Sequence, residues 1–233
     1  MDDIVCLIPA RSGSKGVKNK NIIDLGGIPL LAWSVKTSLN SKKIKRTIVS
    51  TDSEKYANIA KKWGAEVPFI RPKNLSRDLS DDYGHVLHCI EWLKKNNSLP
   101  NLIVHLRPTT PFRKSHIIDK AIEKFKKNKK ATSLRSVHEM SETAYKSLEK
   151  KNKFLKLICN EKGNIDKSNR ARQRFPKTYT PNGYVDILKV EFILKNRMLY
   201  GKKSLFFETN YVAELDNSEN LKYLKYQLKN GKF

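Results

Sequence analysis

The feature that most constrains the fold is the unbroken apolar run IVCLIPA at residues 4–10. It has the length of a strand, and apolar residues at nearly every position indicate a strand buried on both faces. A loop with two glycines follows it, and then an amphipathic segment that begins near Pro29. A buried strand, a loop and an amphipathic helix in this order predict a parallel sheet covered by helices.

The same alternation continues through the first half of the chain. The runs RTIVST, AEVPFI and NLIVHL predict further strands, and apolar residues at helical spacing lie between them. This order predicts an α/β fold with a mostly parallel sheet in a three-layer α/β/α sandwich. In such folds the ligand binds at the carboxyl ends of the strands.

The pattern changes near residue 131. ATSLRSV, TAYKSL and FLKLIC are typical of strands in a more antiparallel region, and the chain then returns through GYVDIL, LFFE and YVAELD to a final helix. We interpret residues 1–233 as a single domain and residues 135–182 as an excursion from it, which is a candidate dimerisation arm.

The loop after the first strand, RSGSKGVKNKN, combines glycines with cations. Gly13 and Gly16 allow the backbone to approach a ligand closely. The backbone amides can form an anion nest, while Arg11, Lys15 and Lys20 supply positive charge. The loop lacks the P-loop and dinucleotide-binding glycine patterns. It therefore predicts a different phosphate site, suited to a triphosphate.

Glu214 and Asp216 lie two residues apart in the run YVAELD. On a strand this spacing places both carboxylates on one face. Two carboxylates on one face can hold Mg²⁺, which would complete its coordination with waters and substrate phosphates. A solvated strand end is the alternative interpretation of the pair when it is considered alone.

Three further segments end strands or form turns and are rich in arginine, namely IRPKNLSRDLSDD, LRPTTPFR and RARQRFPKTYTPNG. Considered one at a time, they are loops with helix-start residues, and Asp81 or Asp82 can cap the helix that follows. Together they place Arg, Lys, Ser, Thr and Asn at several strand ends. That crowding favours one binding site.

Composition narrows the class of protein. The formal charge is +24, from 47 basic and 23 acidic residues, which raises the alternative of nucleic-acid binding. The basic residues are spread along the chain and no nucleic-acid-binding motif accompanies them, so we expect no nucleic-acid partner and an attraction for polyanions in general.

Cys6, Cys89 and Cys159 show no metal or disulfide spacing. No membrane span or signal peptide is predicted, and we expect a cytoplasmic protein without a membrane partner.

The loop sequence ARSGSKGVKNKN resembles the signature of the CMP-N-acylneuraminate synthetases, the cytidylyltransferases that activate sialic and related nonulosonic acids. The similarity continues in order through IVSTDS, RPKNLSRD, RPTTPFR, RQRFPKTYTPNG and ELDNSEN, over nearly the whole chain. The octulosonate-activating relatives have a different loop with an added Arg-Leu-Pro-Gly-Lys element, which this sequence lacks.

The resemblance implies a Rossmann-like nucleotide-sugar transferase fold, Mg²⁺ dependence and a homodimer whose arm completes the neighbouring site. It implies that Arg11, Lys15 and Lys20 hold the CTP phosphates, with Ser14 in the same substrate site, and that Asn21 and Arg71 position the nucleoside. The remaining implied residues are Asp82 near the ribose, Arg107, Arg172 and Gln173 for the acceptor sugar, and Glu214 and Asp216 for the metal.

The sequence departs from the family pattern at two of these positions and at Asn220 nearby. Arg107 stands where sialic acid enzymes usually have a sugar-contacting glutamine, which leaves the identity of the sugar open. Glu214 replaces an aspartate, and Asn220 replaces an acidic residue. Glutamate retains the charge for a metal but has a different reach.

The implied reaction is attack by the anomeric 2-hydroxyl of a nonulosonic acid on the α-phosphorus of CTP, with pyrophosphate leaving. Such a transfer needs positioning and charge neutralisation more than covalent catalysis. We assign the main catalytic roles to Arg11, Lys20 and Asp216. The alternatives are activation of another 3-deoxy-ulosonic acid such as octulosonate, or a non-catalytic protein that binds nucleotides or nucleic acid.

Overall fold

The computed structural model describes residues 3–159 and 163–231. In this part of the chain a six-stranded sheet has the strand order β2-β1-β3-β7-β4-β8. The strands of this sheet are β1 (Ile4–Pro9), β2 (Arg46–Ser50), β3 (Leu102–His105), β4 (Ser133–Glu139), β7 (Tyr179–Lys189) and β8 (Ser204–Glu208). The helices are α1 (Leu30–Leu39), α2 (Glu54–Lys62), α3 (Asp82–Lys95), α4 (Ser115–Lys127), α5 (Ile165–Ser168), α6 (Val190–Asn196) and α7 (Ser218–Lys229).

The sheet is mostly parallel, as the sequence predicts. Three of its five pairings are parallel, namely β1–β2, β1–β3 and β4–β8. Strand β7 is antiparallel to both β3 and β4, between which it lies. Its Asp186 is paired in register with His105 on one side and Arg135 on the other. This antiparallel strand brings a carboxylate beside the end of β3.

Strand β1 is buried on both faces, which confirms the interpretation of its apolar run. Ile4, Cys6 and Ile8 pack into one core cluster, and Val5 and Leu7 pack into another. Each of these side chains is at most 2% exposed. The two clusters lie between the central sheet and the helices on either side, so the predicted three-layer α/β/α arrangement is confirmed.

Helix boundaries follow local chemistry. The Ser53 side chain accepts a hydrogen bond from the backbone amide of Tyr56 and caps α2, which ends before Gly64 with φ of 91°. The Asp81 side chain accepts from the amide of Gly84 and caps α3. Of the two candidate cap residues in this loop, Asp81 is therefore the cap, which leaves Asp82 on the first turn of the helix.

Three predicted strands are wrong. AEVPFI contributes only a single bridge between Glu66 and Ile48, since Pro68 cannot donate a ladder hydrogen bond. TAYKSL forms a 3₁₀ turn (Ala144–Lys146) before the next strand begins. YVAELD, residues 211–216, is irregular, and its apolar alternation comes from side chains that pack against α7 rather than from a strand ladder.

The predicted arm lies largely outside the main sheet. Between β4 and β7 the chain forms a separate two-stranded hairpin, β5 (Leu148–Lys151) with β6 (Phe154–Leu157). The arm prediction of residues 135–182 begins inside β4 and ends inside β7, and its residues 160–162 lie outside the described residues. Phe154 and Leu155 of the hairpin are 75% and 56% exposed. Among the described residues no helix has the length and apolar character needed to cross a membrane.

Candidate active site

The cation-rich loop leaves the carboxyl end of β1 and folds against the acidic segment near residue 216. Gly16 lies so close that a Cβ atom there would be 2.7 Å from the backbone oxygen of Asp216. Any larger residue would therefore push the two segments apart. Lys20 strengthens the contact, because its Nζ lies 3.3 Å from Asp216 Oδ1.

Asp78 neutralises two cations of this loop. Arg11 Nη1 lies 2.8 Å from Asp78 Oδ1, and Lys15 Nζ lies 2.6 Å from Asp78 Oδ2. The hydrogen bonds from Lys15 and Arg11 lower the pKa of this carboxyl. The carboxylate is accessible to solvent, so a more highly charged phosphate group can replace it as the partner of both cations.

Asp52 and Asn21 fix the backbone of this loop through further hydrogen bonds. The Asp52 carboxylate accepts hydrogen bonds from the backbone amide and hydroxyl of Ser12, at 2.7 and 2.8 Å. Asn21 Nδ2 donates to the backbone oxygen of Arg11 at 2.9 Å. Asn21 is buried, and this bond holds the backbone of the cation loop. Its contact with the nucleoside stays a prediction.

Arg71 is a buried cation of the cavity with unused hydrogen-bond donors. It is only 3% exposed, and its Nε and Nη2 atoms have no hydrogen-bond partner among the described residues. Burial lowers its pKa. Its backbone amide donates to the carbonyl of Thr51 at 2.7 Å, which fixes it beside the end of β2. A buried guanidinium with unused donors is costly unless a ligand completes it.

Arg107 lies at the end of β3 and joins two carboxylates. Its Nη1 lies 2.8 Å from Asp186 Oδ2 and its Nη2 lies 2.5 Å from Asp82 Oδ2. Burial disfavours its charge, but Asp186 and Asp82 together raise its pKa above the usual value. Each terminal nitrogen of its guanidinium thus donates to a carboxylate of the protein and retains a second hydrogen.

Eight of the predicted residues line a single cavity of about 410 Å³ at the carboxyl ends of β1 and β3. They are Arg11, Ser14, Lys15, Lys20, Asn21, Arg71, Asp82 and Arg107. The cavity is cationic on the loop side and contains carboxylates on the side of α3, so its two walls differ in charge.

The acidic pair lies at the rim of this region, on an irregular segment instead of the predicted strand end. Burial raises the pKa of Glu214, and the negative charge of Asp216 raises it further. Gly183, with φ of 62°, leaves the space that the Glu214 carboxylate occupies, since a Cβ there would lie 2.6 Å from Glu214 Oε1. Two carboxylates within electrostatic reach, one of them half-buried, fit a hard divalent cation.

Asn220 fixes the backbone next to this pair. Its side-chain oxygen accepts from the backbone amides of Asp216 and Asn217, at 3.1 and 3.3 Å, as half of a capping box at the start of α7. The departure from an acidic residue at position 220 thus retains an oxygen acceptor that orients the Asp216 segment.

Arg172 and Gln173 are not brought to the nucleotide cavity of this chain. They lie in a short 3₁₀ helix and line a separate cavity of about 280 Å³ in the arm. Arg172 Nη2 lies 2.7 Å from Glu139 Oε1 and also donates to the backbone oxygen of Met140 at 2.8 Å.

Sequence reasoning missed Asp186 and Arg113. Asp186 interrupts the apolar run GYVDIL, and a charge inside a buried strand was a signal that it needs a partner. Arg113 is buried and donates to the backbone oxygens of Tyr184, Arg107 and Gly183 at 2.6, 2.6 and 2.8 Å. It ties the strand-end turn to β7, and no pattern in the sequence distinguishes it from a surface arginine.

A cation-rich loop at the end of β1, a cavity across the strand ends and an acidic pair near the loop form an arrangement that suits a nucleotidyltransferase. The cytidylyltransferase family model matches residues 5–225, and the chain belongs to that family. The resemblance found in the motifs is confirmed at this level.

The relatives support the same family. The flagellin modification protein B of Campylobacter coli is 31% identical over 239 residues, which cover 98% of this chain and 96% of the relative. A CMP-N,N'-diacetyllegionaminic acid synthase of Campylobacter jejuni is 31% identical over 234 residues, covering 96% of this chain and 93% of the relative. A pseudaminic acid cytidylyltransferase of Campylobacter jejuni is 40% identical over 124 residues, or 53% of each chain.

Solved structures show the fold. The structure of a CMP-2-keto-3-deoxy-manno-octonic acid synthetase in complex with CTP aligns with a TM-score of 0.73 at 11% identity, covering 98% of this chain and 99% of that chain. At this identity the likeness establishes the nucleotide-sugar transferase fold and nothing about the acceptor.

Proposed function

We propose that this enzyme transfers CMP from CTP to the anomeric 2-hydroxyl of a nonulosonic acid and releases pyrophosphate. The observation that supports it best is the cavity that gathers the cation loop and Arg71, a buried guanidinium with two unused donors. Relatives named for pseudaminic and legionaminic acid support the class of acceptor.

The loop cations would bind the triphosphate. Arg11 and Lys15 exchange Asp78 for phosphate oxygens, and Lys20 faces the same cavity from the side of Asp216. These charges stabilise the pyrophosphate as its negative charge develops. Arg71 supplies buried donors that a nucleotide can satisfy, and Asn21 keeps the loop backbone in place.

Glu214 and Asp216 would hold Mg²⁺, since their carboxylates are the hard oxygen ligands it prefers. A Mg²⁺ ion held there would supply Lewis-acid polarisation of the α-phosphate and would favour loss of the proton from the attacking hydroxyl. Glu214 is kept near this position by the space at Gly183. Lys20 forms an ion pair with Asp216 at the cavity rim. When CTP binds, the Lys20 ammonium group can pair with a phosphate instead.

We further propose that the enzyme is a homodimer in which the arm of one chain brings Arg172 and Gln173 to the partner's site. Two observations support this: the apolar side chains exposed on the hairpin, and the separation of these two residues from the nucleotide cavity of their own chain. Arginine suits the acceptor carboxylate because it can bind both oxygens.

A cytoplasmic location completes the proposal. Cys6, Cys89 and Cys159 are all free thiols. Free thiols are maintained in reducing compartments such as the cytoplasm, which is where we place this reaction.

Pyrophosphate release tests the reaction. The enzyme is assayed with CTP and Mg²⁺ against N-acetylneuraminic, N,N'-diacetyllegionaminic, pseudaminic and octulosonic acids, with UTP and ATP as nucleotide controls. We expect release with CTP and at least one nonulosonic acid. Release with octulosonic acid alone would change the acceptor class.

The same assay separates the proposal from the binding-protein alternatives. Bound CTP without release for any acid would contradict transferase activity towards these acceptors. A nucleic-acid binder would instead show salt-sensitive oligonucleotide binding without preference among free nucleotides.

A further inference from the structure

We propose that Asp186 is a positioning residue for the acceptor: it orients Arg107, whose guanidinium forms the acceptor-facing wall of the cavity. This inference rests on the proposed function, because it assigns a role to one wall of the same site. Asp186 itself lies behind that wall and acts through Arg107.

Asp186 is held tightly for a residue in a central strand. It is 1% exposed, and its Oδ2 accepts from Arg107 Nη1 at 2.8 Å and from the Tyr200 hydroxyl at 3.0 Å. Its other oxygen, Oδ1, accepts no hydrogen bond among the described residues, but it lies within ion-pair distance of Arg135 Nε, at 3.5 Å. A buried carboxylate is retained only with such partners, because its desolvation is otherwise unfavourable.

The support for Arg107 comes from two sides. Asp186 holds one terminal nitrogen from the interior, and Asp82 on the first turn of α3 holds the other. Two rigid elements, β7 and α3, thus fix one guanidinium that lines the cavity. A planar group with its ends fixed in this way has little freedom to rotate.

The charge of this wall favours the acceptor over the triphosphate. Arg107 forms ion pairs with two carboxylates, whereas two buried donors of Arg71 are unused and Arg11 and Lys15 share the solvent-accessible Asp78. A compensated wall offers hydrogen bonds without excess positive charge. It therefore suits hydroxyl and amide groups of a sugar acid better than a polyphosphate.

A double-mutant cycle tests the inference. Asp186→Asn, Arg107→Gln and the double variant are compared by the acceptor KM, and their CTP Kd is measured by calorimetry without acceptor. We expect Asp186→Asn to raise the acceptor KM about tenfold and to leave the CTP Kd within about twofold. In the Arg107→Gln background, Asp186→Asn should add little, because its target is already gone.

A matched control uses an ion pair of similar geometry outside the cavity. Arg46 Nη2 lies 2.6 Å from Glu66 Oε2 at the edge strand, so Glu66→Gln removes a carboxylate from a comparable pair. This variant should leave both constants unchanged. If Asp186→Asn does not fold, Arg107→Lys replaces it, since lysine retains the charge but cannot bridge both carboxylates, and the same rise in acceptor KM is expected.

Additive effects of the two substitutions, an unchanged acceptor KM, or an equal weakening of CTP binding would each overturn the positioning role. A wild-type enzyme that turns over none of the nonulosonic acids contradicts the proposed function, and this inference with it. Wild-type turnover with an unaffected Asp186→Asn variant contradicts the inference alone.

Discussion

At the scale of single residues, Arg11 belongs to the cation loop and Asp216 packs against that loop. We expect substitutions at the two positions to affect different steps, catalysis for Asp216 and CTP binding for Arg11. Asp216→Asn removes a charge from the proposed metal pair and leaves the loop cations in place. We expect kcat to fall about 100-fold or more, with the CTP Kd changed only severalfold. Steady-state kinetics at saturating Mg²⁺ and calorimetry with CTP measure the two effects.

Arg11→Ala should show the opposite division. It removes a cation that can form charge-assisted hydrogen bonds to phosphate, so the CTP Kd should rise about tenfold or more.

Glu219→Gln is a matched control for Asp216→Asn, because it removes the same charge three residues away, where the side chain is 80% exposed. Full Mg²⁺-dependent turnover by Asp216→Asn would show that the metal assignment is wrong.

The residues of the site were predictable to different degrees, for physical reasons. The cation loop has a local signal, since glycines and cations follow a buried strand directly. The Asp186–Arg107 pair spans 79 residues along the chain, and only the antiparallel insertion of β7 beside β3 brings it together. That insertion depends on the whole sheet, so the sequence around either residue does not predict that the two pair.

At the scale of elements, burial on both faces made β1 predictable, whereas YVAELD was not. Ala213 and Leu215 have the two-residue spacing of a strand face, but they pack against the core without pairing to a neighbouring strand. Period-two alternation measures burial and does not report a hydrogen-bonding partner. The prediction that Glu214 and Asp216 lie near each other therefore does not depend on the strand that first suggested it.

Helix α3 and strand β3 are joined by a pair of buried histidines that makes stability depend on pH. His85 Nε2 and His105 Nε2 lie 3.0 Å apart. Burial lowers the pKa of His85 from 6.5 to about 4, a shift that Arg71 and Arg107 reinforce and Asp82 opposes. Burial also lowers the pKa of His105 well below its usual value.

Between pH 6.5 and 4 the unfolded chain therefore binds protons that the folded chain does not. Stability is fully present above pH 6.5 and falls as the pH is lowered through this window, by about 3 kcal/mol for His85 alone. Urea unfolding at pH 7, 6 and 5 measures the decline. His85→Gln should reduce its slope, because glutamine retains an acceptor for His105 but takes up no proton.

Exposed His116 provides the control for that experiment. His116→Gln should leave the slope as in the wild type. An equal slope in His85→Gln and the wild type would show that the buried pair does not determine acid stability.

At the scale of the whole molecule, the arm raises the question of which chain supplies Arg172 to a given site. Arg172 and Gln173 line a cavity in the arm, while the nucleotide cavity lies at the strand ends. If the arm crosses to a partner, a working site needs Asp216 from one chain and Arg172 from the other. Two inactive variants can then restore each other.

Co-expressed Asp216→Asn and Arg172→Ala chains, carrying different tags, test this arrangement. In a mixed dimer with crossed arms, one site combines an intact Asp216 with an intact Arg172, and the other site lacks both. Random pairing makes half of the dimers mixed, so we expect about a quarter of wild-type pyrophosphate release. Each variant alone should have little activity. Purification by both tags in sequence should raise the value to about half, because every dimer then contains one working site. No recovery in the doubly purified dimers would show that Arg172 acts within its own chain.

A Phe154→Asp, Leu155→Asp variant gives the complementary result, since charges on the exposed hairpin should produce a monomer in sedimentation that still binds CTP but releases no pyrophosphate.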